Sequence, residues 1–350
     1  MKPDNPIITF ELPPSLACPL PTEARGLARD QVRLLITAQD GRQIDHTTFR
    51  HLDHYLQAGD VLVVNTSATR ASALPVTLPN GRPGMVHFSQ PIAKPEWLVE
   101  VREIVESQTV RWKEGVADLA IALPGGAHLR LNQRFYRKRQ QLDLWRATLQ
   151  SSMTTEDYLA SYAQPIRYNL RQPYPLAYYQ TFFSFHPGSA EMPSAGRAFT
   201  PALVDRLIAQ GVTFTPILLH TGVSSLEKDE TPYPEYAEVS PVTASLINRA
   251  KREGRRVIAV GTTAVRALES AADVTGTLAP YQGYTELYIT HDYRMRVADG
   301  LLTGFHEPEA SHLHMLQAVA NREHLEQAYA AAIDHHYYWH EFGDLHLILP

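Results

Sequence analysis

The 350-residue sequence is poor in the features that most readily expose a function class. It holds one cysteine, Cys18, which excludes an internal disulfide and a cysteine-based metal cage and suits a reducing compartment. A lone cysteine of this kind packs most often as a small apolar side chain. No apolar run approaches the roughly 20 residues that cross a bilayer, and the start, MKPDNPIITFELPP, lacks the basic-then-apolar layout of a secretory signal. These absences predict a soluble, cytoplasmic protein with no membrane partner. A basic excess is missing too: 32 Lys and Arg stand against 37 Asp and Glu, a net charge of −5, so no uniformly basic nucleic-acid surface is expected. Histidine is abundant at 16, and His306, His312, His314, His335, His336, His340 and His346 fall late, near Glu307, Glu309 and Glu341. Their spacings match no HExxH-type pattern, so no metal is expected.

What is present is an ordinary globular composition, 44% apolar and 20% charged, in a chain longer than one compact core usually holds. Helices announce themselves by their ends. TPALVDRLIAQG has Thr200 as N-cap, Pro201 in the first turn and Gly211 past the end, and SPVTASLINRAKREG repeats the layout with Ser240, Pro241 and Gly254. The β-branched runs 212–220 and 256–261 then read as strands, and the second feeds a helix TTAVRALESAAD. Residues 322–336 read as a further helix before a last strand LHLIL. Alternation of this kind predicts a layered α/β domain. Between 76 and 147 the pattern changes to short apolar runs separated by Gly and Pro turns, the mark of a small antiparallel barrel or sandwich. The expected fold is therefore a large mixed α/β domain, 1–75 with 148–350, carrying a small inserted antiparallel β-barrel domain at 76–147, with 148–163 as the helical return.

Some segments carry chemistry. In RVIAVGTTAVRALES a buried strand ends at Gly261, and Thr262 and Thr263 open a helix whose free N–H groups suit a carboxylate or phosphate, with Arg266 and Glu269 further in. An ordinary Gly-Thr helix start explains the same pattern. AEMPSAGRAFTP (190–201) places small residues where backbone could approach a ligand, or only a tight loop. LLHTGVSSLE (218–227) ends a strand at His220, Thr221 and Gly222, and ligands in α/β proteins favour such ends; a histidine satisfied by nearby backbone is the competing reading. Two basic clusters remain. Arg134, Arg137, Lys138 and Arg139 interleave with Phe135 and Tyr136, as a nucleic-acid patch or a protected strand edge would. Lys251, Arg252, Arg255 and Arg256 straddle a helix end, where cations complement the dipole.

Taken together, ELPPSLA, ARDQVRLL (28–35), FRHLDHYLQAGDVLVVNTSAT (49–69), PLAYYQT (175–181), MPSAGRAFT (192–200), LLHTGVSSLE, RVIAVGTTAVRALES, DGLLTGFHEP (299–308) and EFGDLHLIL (341–349) resemble, in order, the S-adenosylmethionine:tRNA ribosyltransferase-isomerase family of queuosine biosynthesis. The resemblance implies a large α/β domain with a small β-barrel. It also implies transfer and isomerisation of the ribosyl part of S-adenosylmethionine onto 7-aminomethyl-7-deazaguanine in tRNA, giving epoxyqueuosine with loss of adenine and methionine. S-adenosylmethionine is then a substrate, tRNA a candidate partner, and no metal or resident cofactor is required; a monomer or weak dimer is expected. By position, Arg29, Asp30 and Arg33 match the family's Arg-Asp-x-x-Arg, and Asn65 opens its Asn-Asp-Thr-Arg. Tyr179, Gln180 and Thr181 match Tyr-Gln-Thr, while Pro193, Ser194, Ala195, Gly196, Phe199 and Thr200 fall on its Pro-Thr-Ala-Gly loop. Thr221, Gly222 and Glu227 follow the His220 strand, and Gly261, Thr262, Thr263, Arg266 and Glu269 fit unchanged, as do Thr303, Phe305, His306, Pro308, Gly343 and Asp344.

The departures are polar. Thr66, Ser67 and Ala68 replace an acid, a hydroxyl and a guanidinium; Arg197 and Ala198 replace Leu-His; and Glu230 to Glu235 keeps an acid but loses both histidines of the family's His-x-Met-His-x-Glu. The expected catalytic set is His306, Glu235, His220 and Arg266. His306 would exchange a proton with departing adenine, and a carboxylate would accept from ribose hydroxyls. The anionic end of the substrate is expected at Gly261–Thr263, helped by Arg266, with Tyr179 or Phe305 as an aromatic wall. Two alternatives stay open: a paralogue acting on another nucleoside or sulfonium substrate, and a non-catalytic RNA- or ligand-binding protein on the same scaffold.

Overall fold

The computed structural model describes residues 7–18, 20–39, 43–106, 108–137, 140–168, 172–223 and 233–350, with side chains at 137 and 140–143 left out. The first strands are β1 (Arg33–Ala38), β2 (Ile44–Thr48), β3 (Val61–Asn65) and β4 (Ser67–Thr69). β5 (Ala73–Thr77), β6 (Pro83–Ala93), β7 (Glu96–Val105), β8 (Gln108–Arg111), β9 (Leu119–Ala122), β10 (His128–Arg137) and β11 (Gln140–Gln150) follow. After α1 (Thr155–Tyr162) come β12 (His186–Ser189), α2 (Pro201–Ala209), β13 (Thr213–Leu219), β14 (Glu235–Val239), α3 (Pro241–Arg252) and β15 (Val257–Val260). The chain closes with α4 (Thr262–Ala271), β16 (Tyr281–Thr285), β17 (Gly300–Gly304), α5 (His312–Val319), α6 (Arg322–Asp334) and β18 (Leu345–Leu349).

A nine-stranded sheet runs β16-β14-β13-β3-β15-β17-β18-β1-β2. Its centre, β13, β3, β15 and β17, is parallel, with antiparallel β14 and β18 on either side. Both faces are covered, which is why the central strands read as unbroken apolar runs. Val61, Val63, Val257 and Ala259 face a core shared with α3, α4, α5 and α6. Their neighbours Leu62, Val64, Ile258 and Val260 face a second core with Phe49, Phe199, Leu203 and Leu207. The helix ends are where capping chemistry put them. Thr200 and Ser240 accept from the backbone of Leu203 and Thr243, each with Pro at the first position, and Gly261, with φ 92°, turns β15 into α4.

The second sheet, order β5-β6-β7-β11-β10-β9 with β8 on β7, is antiparallel throughout. It curves around its own core of Phe88, Trp97, Val99, Leu129 and Trp145. The expected helical return at 148–163 needs correction, because β11 continues to Gln150 and only Thr155–Tyr162 is helical. β11 lies between β7 and β10, so Thr148 is held in two ladders, and ladder hydrogen bonds override local preference. The helix starts where Thr154 accepts from Asp157 N, 3.1 Å. It then buries Tyr158 and Leu159 in this second core. The chain joins and leaves the sheet side by side: Ala73 and Gln164 exchange backbone hydrogen bonds of 2.8 and 2.9 Å.

The two basic clusters have local partners. Arg134 lies 4.1 Å over the Trp145 ring, whereas Lys138, Arg139 and the Arg137 side chain fall outside the described residues. Lys251 pairs with Asp299, Arg255 with Glu253 and Arg256 with Asp60. Asp60 is the buried member, 1% exposed. It grips Arg256 Nε at 2.8 Å and accepts from Gln57 N at 2.8 Å, fixing the turn into β3 against β15. Asp60→Ala strands a cation and an N–H at that turn and is expected to lower stability by about 3 kcal/mol, read as a fall in the urea unfolding midpoint. An unchanged midpoint would mean the pair contributes nothing.

Candidate functional site

The carboxyl ends of the parallel strands deliver Asn65 (β3), His220 (after β13), Gly261 (after β15) and His306 (after β17) to one edge of the sheet. Asn65 ties that edge together. Its Nδ2 donates to Leu219 O at 2.9 Å and Thr263 Oγ1 at 3.2 Å, and its Oδ1 accepts from Ser67 N and Leu219 N, both at 3.0 Å. Ser67 Oγ then lies 2.8 Å from His220 Nδ1 and 2.6 Å from Ser189 Oγ. The His220 ring sits on Gly188, where a Cβ would come within 2.4 Å of it. Burial, then the nearby Arg70 charge, holds His220 down at about 4, so it is neutral at physiological pH.

Beyond His220 the strand end turns at Gly222, whose N–H donates to Glu235 Oε1 at 2.7 Å. The other carboxylate oxygen of Glu235 pairs with Arg266, and Arg266 Nε donates to Leu287 O at 3.1 Å. No Cβ fits at Gly222, since Tyr233 Oη would be 1.9 Å away. Glu235 and Arg266 line a narrow cleft of about 60 Å³ with Tyr233, Tyr288, Ser311 and His312. His312, rather than His306, presents its ring there. His306 stacks on it, centroids 4.5 Å apart and 4° from parallel, with Nε2 3.0 Å from Thr303 Oγ1 and its carbonyl accepting from Trp339 Nε1 at 3.0 Å. Burial depresses both imidazoles, His312 to about 4. Thus His306, His312, Glu235 and Arg266 form one connected group, and His220 adjoins it through Gly222.

Other residues expected at the ligand have partners within the fold. Phe305 belongs to an aromatic core with Tyr329, Tyr337 and Trp339, 3% exposed, and offers no wall. Glu269 accepts from the backbone of Arg296, Val297 and Ala298. Asp344 accepts from Arg33 N and Tyr338 N, both at 2.7 Å, and the Arg33 guanidinium lies 4.0 Å over Tyr337. Arg29 donates to Gln180 O and Ala177 O, Asp30 meets Thr200 and Arg50, and Gln180 grips both backbone groups of Thr69. Thr181 accepts from Phe183 N, Thr221 N donates to Ser189 Oγ, and Arg197 is locked on Glu23, Thr22 and Tyr178. The Pro193, Ser194, Ala195 and Gly196 turn packs against the α4 start, with Ala195 Cβ 3.4 Å from where a Gly261 Cβ would stand. Arg266 is therefore turned away from Thr262 and Thr263 toward Glu235. Glu227 and Glu230 lie outside the described residues.

Tyr179 lines a different, larger cavity of about 330 Å³, with Tyr174, Glu191, Glu341 and Phe342. It adjoins the strand ends through Thr221, whose hydroxyl donates to Glu191 O. Glu191 and Thr69 were not read from the sequence. Their only signal is their place within the AEMPSAGRAFTP and NTSAT segments. A wider, open depression of about 700 Å³ around Thr275, Asp292 and Arg296 sits past the far end of α4.

Four buried histidines give the protein a defined acid limit. His220, His306, His312 and His346 all titrate below the usual 6.5, chiefly by burial, His346 at about 3. Their unfolded forms take up protons first, so the stability they allow is complete above pH 6.5 and is lost as pH falls from there through about 4 toward 3. The thermal midpoint should drop between pH 7.5 and 5, and by less in His346→Gln. A midpoint flat over that interval would contradict the burial of these rings.

Comparison with known proteins places the chain in a family. A family model described as queuosine biosynthesis protein matches residues 7–348. An S-adenosylmethionine:tRNA ribosyltransferase-isomerase of Desulfitobacterium hafniense is 34% identical, covering 97% of this chain and 98% of its own length. One of Carboxydothermus hydrogenoformans is 33% identical over the same shares. A crystal structure of an S-adenosylmethionine tRNA ribosyltransferase from Thermotoga maritima superposes with a TM-score of 0.55 at 24% identity, over 97% of this chain and 99% of that one, and shares the fold. With a family model matched over nearly the whole chain and near-full-length relatives above 30% identity, the chain belongs to the queuosine biosynthesis protein family.

Proposed function

We propose that this protein is an S-adenosylmethionine:tRNA ribosyltransferase-isomerase, transferring and isomerising the ribosyl part of S-adenosylmethionine onto 7-aminomethyl-7-deazaguanine in tRNA. The observation that carries the reading is the group of His312, His306, Glu235 and Arg266 at the carboxyl ends of parallel strands, where α/β folds bind ligands. The sulfonium acidifies the carbon beside it, and the departing adenine needs a proton. A neutral imidazole with a neutral imidazole stacked behind it can take the first and return the second. Glu235, oriented by Arg266 and Gly222, is placed to accept from ribose hydroxyls. Neither a metal nor a resident cofactor enters this scheme. The reading includes a barrel-like unit near 76–147 as a separate domain inserted in the α/β domain, a cytoplasmic location and a monomer or weak dimer.

One observation favours a paralogue with another acceptor. Where the family has an acid and a guanidinium, Thr66 donates to Ile217 O at 3.0 Å and Ala68 is buried, so neither position offers a charge to RNA. A single assay separates the readings. The purified protein, S-adenosylmethionine and tRNA carrying the aminomethyl base should release adenine and methionine in equal amounts, with the ribosyl group on the tRNA. Release with no tRNA, or with another nucleoside only, selects the paralogue; no release under any condition leaves the scaffold a binding protein.

In that assay His312→Ala and His306→Ala should each lower turnover by about 100-fold while far-ultraviolet circular dichroism stays unchanged. Full activity in His306→Ala would reduce that residue to a support for Thr303 and Trp339.

A further inference from the structure

The cavity beside Tyr179 is built differently from the Glu235 cleft and has no part in the chemistry above. Its walls mix polar groups with aromatic and apolar ones: Tyr174, itself stacked on Tyr178 with centroids 5.8 Å apart, Tyr179 against Phe342 at 5.2 Å, and Met192. At about 330 Å³ it is in the range that takes a nucleobase or small nucleoside. Two carboxyl groups converge in it. Glu191 accepts from Tyr168 Oη at 2.6 Å. Glu341 accepts no hydrogen bond from any described residue, and burial, then the charge of Glu191, raises it to about 8. A second, independent sign of a missing ligand comes from two atoms on other segments. Thr69 lines the cavity, is 4% exposed, and its Oγ1 has no partner among the described residues. Arg167 lines it too; it bonds Gln164 through Nη2, and its buried Nη1 has no partner among the described residues.

A half-buried carboxyl with no hydrogen-bond partner among the described residues, with only the more distant Arg197 charge to offset it, is costly unless something cationic or rich in N–H donors meets it. Aromatic faces around it favour a cation further, and the open Arg167 nitrogen suits a carboxylate or phosphate on the same ligand. We infer that this cavity binds a flat heterocyclic ligand that carries a positive charge, held by Glu341 and Glu191 between Tyr174, Tyr179 and Phe342. This deepens the proposed function and rests on it for the identity of the ligand. Two molecules in that reaction share the chemistry: S-adenosylmethionine, with sulfonium and amino-acid carboxylate, and the aminomethyl-deazaguanine base, with its ammonium and adjacent nucleotide phosphate. The position fits either, since Thr221 connects the cavity wall at Glu191 to the strand end that leads to Glu235.

Equilibrium binding tests the inference without turnover. Isothermal titration of the full chain is run with S-adenosylmethionine against its neutral-sulfur analogue S-adenosylhomocysteine, and with 7-aminomethyl-7-deazaguanine against the neutral 7-cyano base. The wild-type protein should prefer the charged member of at least one pair. Glu341→Gln, close in shape, should weaken that charged ligand by about tenfold or more while leaving its neutral analogue within about twofold. Glu191→Gln should act in the same direction, and Tyr174→Ala should weaken both members of the pair. A loss confined to the first pair assigns the donor here, and a loss confined to the second assigns the acceptor. Equal affinities for charged and neutral ligands in the wild type, or affinities unchanged in Glu341→Gln and Glu191→Gln, overturn the inference. Intact charge-selective binding with no adenine release from any tRNA would sink the proposed reaction and leave this site standing; adenine release unaffected by these variants, with unchanged binding, would do the reverse.

Discussion

One amide side chain organises the functional edge of this protein. Asn65 ends the central strand β3 and uses both of its polar atoms on neighbours: the backbone of Leu219 on β13, the hydroxyl of Thr263 at the start of α4, and the N–H of Ser67 ahead of it. The ends of two adjacent strands and the start of the helix after a third are thereby fixed in register. The candidate site hangs from that junction: Ser67 meets His220, His220 leads to Gly222, and Gly222 orients Glu235 on Arg266. An amide suits the place because it gives and accepts at once without a charge to desolvate.

The electrostatics of the edge divide into satisfied and unsatisfied groups. The Glu235–Arg266 pair is closed, each partner having further hydrogen bonds to backbone, as a buried ion pair must to persist. The histidines around it are neutral because burial leaves no room for their charge. Across the Thr221 strand end lies the opposite case: a carboxyl, a hydroxyl and a guanidinium nitrogen that have no hydrogen-bond partner among the described residues, at a cavity with aromatic side chains in its walls. The closed cluster has the character of pre-organised chemistry. The open one has the character of a site whose missing partner is the ligand.

Many polar motif residues are engaged within the fold. Glu269, Asp344, Arg29, Gln180 and Thr181 all bond the chain's own backbone, and Arg29, Glu269 and Thr181 also meet the side chains of Glu23, Tyr293 and Ser184. A carboxylate that holds three consecutive N–H groups of a turn looks the same in sequence as one that holds a ribose. Arg197, where the family's pattern has Leu, is a staple between the 22–23 turn and the 194–197 loop, so that departure is a change in how the loop is pinned.

The sequence by itself determined the elements and their order. Apolar runs with Thr-Pro and Ser-Pro starts specify α2 and α3, Gly261 specifies the β15–α4 turn, and the change to short apolar runs between Gly and Pro turns marks the second sheet. These are local signals, read within a few residues. It also placed His220, Glu235, Arg266 and His306 at segment ends where a site could form. Only the tertiary structure decided which ring faces the cleft, because His306 and His312 differ by a stacking contact between a strand end and a helix start that no spacing records. It alone brought Thr69, Arg167, Glu191 and Glu341 to one cavity, since these come from four separate segments whose meeting depends on how the two sheets and the connecting turns pack.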